Sequence, residues 1–253
     1  MRHDLLHDEI AHHPYPLLFA TISGAHLYGF ASPDSDYDLR GAHILPASEA
    51  LAILPKKETL ELSTVRDGVE IDYVTHDILK FFEMLLKRNG YVLEQLYSPL
   101  VVRAMPEHEE LKDIAQGCIT RHHAHHYLGF ADTQWRLVQK SPPRLKPLLY
   151  TYRVLLTGIH LMRTGEVEAN LPRLNETRPS PGLAELIERK TSGSEHEQLS
   201  EAEINLHEKR VSQLRGELAE AAQRSTLPDE PRSRAALNDL LIRLRLRDAP
   251  DKF

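Results

Sequence analysis

Two aspartates, Asp36 and Asp38, stand two apart in "SGAHLYGFASPDSDYDLRG", residues 23–41. Like charges at that spacing repel unless water or a cation screens them. On an extended chain residues i and i+2 project to one side, so both carboxylates would face the same one or two hard divalent cations, with Tyr37 turned away. Two-metal chemistry calls for a third carboxylate. Asp72 in "VEIDYVT" (69–75) is the candidate, on the face opposite Val69, Ile71 and Tyr73. An acid inside an apolar strand is costly unless it is paired or binds metal. Upstream, an apolar run ending at Ser23-Gly24 lets backbone N–H groups approach a phosphate, and Gly29 permits a second close approach. Phosphate on one side and cations on the other is a layout for phosphoryl or nucleotidyl transfer. The plainer reading of "SPDSDYD" is a solvated turn. The glycines before it and Asp72 after it favour the metal site.

Such carboxylates need strands to hold them. "PLLFATIS" (16–23) reads as one strand and "YDLRGAHIL" (37–45), stopped by Pro46, as a second. "TLELSTV" (59–65) and "VEIDYVT" both alternate, with Asp67-Gly68 between them, a hairpin signal. "DILKFFEMLLK" (77–87) has helical spacing and a stop at Asn89-Gly90. Beyond about Glu107 the pattern is helical: a long segment over 145–165 ending at Gly165, a serine-rich exposed loop at 191–200, then helices near 202–224 and 233–246. The break between an α/β part and a helical part falls at 105–115.

Bulk properties narrow the setting. The 253 residues are 41% hydrophobic, enough for a real core, and no apolar run approaches a membrane span. A net charge of −6 argues against coating nucleic acid by bulk charge. It leaves room for a local basic groove built from Arg121, Arg136, Lys140, Arg144, Lys146 and Arg153. The single cysteine, Cys118, excludes an internal disulfide framework and a cysteine-based zinc site. With no long apolar stretch near the N-terminus, a cytoplasmic location is expected.

The 23–41 stretch resembles the signature of the DNA polymerase β superfamily of nucleotidyltransferases, a G-S turn followed by S-D-x-D. More narrowly, the chain is similar to the bacterial predicted nucleotidyltransferases called the RNA repair pathway polymerase-β-like family. Lys87, Asn89, Glu94, Leu96, Ser98 and Pro99 match a downstream segment of that family. Lys146, Tyr150, Arg153, Leu155, Leu156, Thr157, Gly158, Leu161, Thr164, Gly165 and Glu166 match a later one. The resemblance covers about residues 16 to 175 and implies an α+β protein. A polymerase-β-like catalytic core, a small mixed sheet with helices, would occupy residues 1–108. An α-helical C-terminal domain, 109–253, would close over nucleotide and acceptor.

Asp36 and Asp38 would then carry two Mg²⁺ or Mn²⁺ ions, with Asp72 as third ligand or general base. Ser35 would fix the acidic turn. Ser23, Gly24 and Arg40 would meet the nucleotide, and Lys146 and Arg153, two turns apart on one helix face, would neutralise the triphosphate. One departure stands out: the usual G-S pair is Gly24-Ala25 here, so Ser23 or backbone N–H groups must replace the missing hydroxyl. The expected substrate is a nucleoside triphosphate and the favoured acceptor an RNA or DNA 3′ end. Protein adenylylation, or a catalytically weak nucleotide-binding module with a protein partner, are the alternatives. In "RHHAHHY" (121–127), His122 and His126 have a zinc-compatible spacing, but a partly exposed face near nucleic-acid phosphates is the better account. Trp135 is expected in the core. Asn89 is expected to cap a helix end, and Glu94 to pair with an arginine.

Overall fold

The computed structural model describes residues 2–54, 57–193 and 197–247. The first half alternates strands and helices: α1 (His3–Ala11), β1 (Leu17–Ile22), α2 (Gly24–Tyr28), β2 (Tyr37–His43), α3 (Ala47–Ala50), β3 (Thr59–Glu61), β4 (Thr64–Arg66), β5 (Val69–Asp77), α4 (Ile78–Leu86), α5 (Gly90–Leu96) and β6 (Val101–Ala104). The remainder is helical: α6 (Glu107–Gln116), α7 (His123–Val138), α8 (Leu145–Thr164), α9 (Leu171–Thr177), α10 (Leu183–Ser192), α11 (Glu201–Arg224) and α12 (Arg234–Leu246). The protein is therefore α+β, and no helix among the described residues is long and apolar enough to cross a membrane.

Two compact units share the chain, and neither is continuous in sequence. The sheet unit comprises Met1–Ser23, Asp36–Cys118 and Glu230–Phe253; the helical unit comprises Gly24–Ser35 and Ile119–Asp229. A new unit does begin near the expected break. However, α12 belongs with the sheet, and the Gly24–Ser35 segment belongs with the helices.

In the sheet unit the strand order is β3-β5-β2-β1-β6, with β4 also pairing β5. β2 and β5 run parallel, and the other pairings are antiparallel. The expected 59–65 strand is split, so β3 and β4 pair successive lengths of β5. Asp67 and Gly68 turn β4 into β5 with φ of 51° and 74°, the double left-handed conformation that Asp-Gly suits. One sheet face buries Leu39, Ile71 and Tyr73 beneath Leu6 and Ile10 of α1. Gly41 of β2 is needed because a Cβ there would lie 2.2 Å from the Phe19 carbonyl oxygen of β1.

Asp77 caps α4, its carboxylate accepting from the Leu79 N–H, and Arg245 of α12 donates to the same carboxylate. α4 ends at Arg88 in left-handed conformation (φ 62°). Asn89 caps the start of α5, accepting from the Tyr91 N–H, instead of closing α4. β6 and α1 have no counterpart in the sequence reading.

In the helical unit α8 is the hub, packed by α7, α9, α10 and α11. It ends at Gly165 (φ 76°), and Trp135 of α7 is buried. Ser200 and Glu203 form a capping box on α11. The expected 191–200 loop opens after α10, though 194–196 lie outside the described residues.

Candidate active site

Parallel pairing of β2 with β5 sets Asp38 directly beside Asp72. Paired residues of parallel strands share a face, so two carboxylates separated by 34 positions become neighbours. Arg40, two residues beyond Asp38, lies on that same face. Its Nη2 donates to Asp38 Oδ1 at 2.8 Å and to Asp72 Oδ2 at 2.7 Å. Nη1 donates to the carbonyls of Leu39 (2.8 Å) and Asp72 (2.5 Å), and Nε donates to Tyr91 Oη at 2.9 Å. Burial alone disfavours the guanidinium's charge. Tyr91, Asp38 and Asp72 outweigh that cost and raise its pKa above the ordinary arginine value.

The two carboxylates keep contact with water, with side chains 29% and 42% exposed for Asp38 and Asp72 against 11% for Arg40. Ser63 donates its hydroxyl to Asp72 Oδ1 at 2.9 Å. His76, two pleats along β5 from Asp72, is pushed down to about 4, first by burial and then by Lys80 and Arg40. It is neutral at neutral pH.

Asp36 is exposed and precedes β2, which starts at Tyr37. β2 itself therefore carries Asp38, and Asp36 is the residue immediately before it. Ser23 donates its N–H to the Asp38 carbonyl at 2.8 Å, tying the exit of β1 to β2. Its hydroxyl is buried with no hydrogen-bond partner among the described residues.

The rest of the motif lies in the helical unit. Gly24 (φ 59°) opens α2, and the Phe30 N–H returns to the Ala25 carbonyl. Ser35 closes the turn before the aspartates: its Oγ accepts the Ser32 N–H at 3.0 Å, and its own N–H goes to the Ser32 carbonyl. Lys190 of α10, wholly buried, donates to Ser32 Oγ at 2.6 Å. Lys190 drew no notice in the sequence, since it sits among charged residues on an ordinary amphipathic helix.

The two basic residues of α8 do not form one exposed stripe. Lys146 is half-buried, whereas Arg153 is completely buried. The Arg153 guanidinium stacks 3.9 Å from the centre of the Tyr28 ring, with Phe130 at 5.8 Å and Tyr150 at 6.0 Å. Its burial gives it no open face toward a phosphate, which corrects the expected stripe.

The histidine run divides as well. His122 precedes α7 and meets Asp229 at 3.2 Å, while His126 lies beside Tyr127 and Phe130. Burial, then Arg153, lowers the His126 pKa. Cys118 is free and buried, its thiol pushed up by burial to about 11 and so unreactive.

The sequence pattern of the RNA repair pathway DNA polymerase beta family (RlaP) matches residues 3–243. The chain belongs to this family. Family membership thus takes in the sheet unit's paired aspartates and the whole of the helical unit. An uncharacterized protein of Methanocaldococcus jannaschii is 36% identical over 155 residues, 60% of this chain and 63% of that relative. The match thus spans less than two thirds of that relative's length. Among solved structures, a nucleotidyltransferase-like protein from Exiguobacterium sibiricum aligns over 99% of this chain and 80% of its own at 10% identity. Its TM-score is 0.34, too loose a likeness to bear on the site.

The divalent ions that this family implies can be tested against the donors present. Asp38 and Asp72 offer the hard oxygens such ions take, on adjacent strands and open to water. Among the described residues no group of three His, Cys, Asp or Glu side chains is gathered to hold an ion, and Arg40 Nη2 bonds to both carboxylates of the pair. The chemistry of the pair fits one hard cation.

Proposed function

We propose that this protein is a metal-dependent nucleotidyltransferase that moves a nucleoside monophosphate from a nucleoside triphosphate to an acceptor hydroxyl. The favoured acceptor is a nucleic-acid 3′ end, the setting is RNA repair, and the compartment is the cytoplasm. The reading rests on one observation: the register that places Asp38 against Asp72, in a chain whose family match spans both. Mg²⁺ or Mn²⁺ held by Asp38 and Asp72, with Asp36 completing the set, would supply charge neutralisation on the triphosphate and polarise the attacking hydroxyl.

The chain's own groups do the remainder. The acceptor oxygen bonds to the α-phosphorus, the bond from that phosphorus to the β-bridging oxygen breaks, and pyrophosphate leaves with the electron pair. The acceptor's proton passes to an Asp72 oxygen. Ser63 holds that carboxylate in place through Oδ1. The Ser23 hydroxyl, buried and without a partner among the described residues, is the donor proposed to make up for the absence of a hydroxyl at Ala25. In the helical unit, Gly24 and the Ser35 turn are the loop proposed to meet phosphate, and Lys146 is a proposed source of positive charge. Arg153 contributes indirectly, by holding Tyr28 of α2.

The test is a labelling assay with α-labelled nucleoside triphosphates, Mg²⁺ or Mn²⁺, and single-stranded RNA and DNA, beside an Asp38→Asn, Asp72→Asn control. Label on an oligonucleotide, absent in the control, is the expected result and names the acceptor. Label on protein instead would make it an adenylyltransferase. No label with any nucleotide would leave a nucleotide-binding module.

A further inference from the structure

The Asp38–Asp72 pair contains its own cation. An Asp-x-Arg sequence on a strand puts carboxylate and guanidinium on one face, and parallel register brings the second carboxylate alongside. The result is a single nitrogen, Arg40 Nη2, within hydrogen-bonding distance of one oxygen from each carboxylate, at 2.8 and 2.7 Å. A divalent ion taking those same oxygens would sit about 2.0–2.6 Å from them, so ion and nitrogen exclude each other. Without either, two carboxylates fixed in register would repel.

We propose that Arg40 is the resident counter-ion of this pair, which an incoming divalent metal must displace. The inference rests on the metal-site reading above and adds a rule for loading the site: metal binding is an exchange, not the filling of a gap. Three further observations support it. The other hydrogen bonds of Arg40 go to Tyr91 Oη, Leu39 O and Asp72 O, none of them a carboxylate oxygen. Nη2 can therefore leave the gap while the side chain stays anchored nearby. The carboxylates are open to solvent while Arg40 is not, so a solute cation can reach them without the guanidinium first passing into bulk water. Finally, burial and the charges of Lys80 and Arg40 hold the His76 pKa down to about 4, so this ring adds no charge of its own beside Arg40 at neutral pH.

Arg40 acts here as a positioning residue, and binding measurements test it without reference to turnover. Mn²⁺ binding to the full chain would be followed by electron paramagnetic resonance for wild type, Arg40→Gln and Asp38→Asn. In parallel, the arginine side-chain N–H signals of ¹⁵N-labelled wild type would be followed as Mg²⁺ is added. Exchange predicts Mn²⁺ binding to Arg40→Gln about tenfold tighter than to wild type. It also predicts that the Arg40 Nη signal loses its protection from solvent as Mg²⁺ saturates, a change that a merely structural arginine would not show. Equal or weaker binding by Arg40→Gln, or an Nη signal indifferent to Mg²⁺, overturns the proposal. Should Arg40→Gln fail to fold, the wild-type signal decides alone. Asp38→Asn separates the two readings. If it loses Mn²⁺ while Arg40→Gln only matches wild type, the metal site stands and the exchange falls. If it binds Mn²⁺ as wild type does, the metal lies elsewhere and both fall.

Discussion

Each unit of this protein buries an arginine, and the two are stabilised by opposite means. In the sheet unit Arg40 is surrounded by acceptors: two carboxylates, two carbonyls and a tyrosine hydroxyl. In the helical unit Arg153 is surrounded by ring faces, with Tyr28 against its guanidinium. The first environment matches charge with charge and stays in touch with water. The second matches a weakly hydrated cation to the negative faces of aromatic rings and shuts water out. A charge set among solvent-reached acceptors can be exchanged for another cation. A charge sealed under aromatics is part of the core. A buried arginine thus marks a chemical site in one unit and a packing element in the other.

The largest effect should come from breaking the first environment. Asp38→Asn should cut nucleotidyl transfer by more than about 100-fold, beyond what loss of even an outer partner of a metal site costs, with the melting temperature little changed. Steady-state labelling beside a thermal melt measures both. Breaking the second should reverse that pattern. Arg153→Ala empties a fully buried volume and should destabilise by about 2–5 kcal/mol, read as a lower urea midpoint. Tyr28→Leu keeps the arginine and removes only the ring beneath it, so a loss nearer 1–2 kcal/mol is expected in the same titration. A Tyr28→Leu protein as stable as wild type would show that the stacking at 3.9 Å contributes nothing.

The smallest contrast concerns pH. His43 and His76 in the sheet unit are each lowered to about 4, chiefly by burial. For His43, the charges of His13, Asp77, His76 and Arg245 also act, and Asp77 alone among them pulls upward. The folded state keeps these rings neutral, whereas the unfolded chain begins to protonate near 6.5. Their contribution is complete above about 6.5 and is lost as pH falls toward 4. Urea midpoints taken between pH 7.5 and 4.5 should decline, and His43→Gln should flatten the decline.

Much of this was legible in the sequence wherever the signal was local. β1, β2, β5, α4, α8, α11 and the Asp67-Gly68 turn all follow from periodicity and turn chemistry within a dozen residues. Asp38 and Asp72 stood out because an acid in an apolar strand needs a reason. Arg40 was noticed, but its position between them was not, because it depends on a pairing 34 positions apart that no local pattern encodes. The same holds for Lys190, which reaches Ser32 across 158 positions. Asp36 falls just before β2, at a strand end where a period of two no longer sets which way a side chain projects. Arg153 looked like a phosphate contact because spacing gives the side of a helix and not what covers it. β6 was missed because its four residues, "VVRA", are too few to show an alternation.

The interleaving of the two units has a consequence for how the molecule can be made and cut. Asp77, at the root of α4, finds its arginine at position 245, after the whole helical unit has intervened. On the ribosome α4 therefore waits for its α12 cover from synthesis of β6 until α12 emerges, with the Asp77 carboxylate short of its final partner. A fragment ending near residue 108 would hold all six described strands and both paired aspartates, yet lack α6 and the cover that α12 lays on α4. A single proteolytic nick, wherever it falls, cannot free either unit whole.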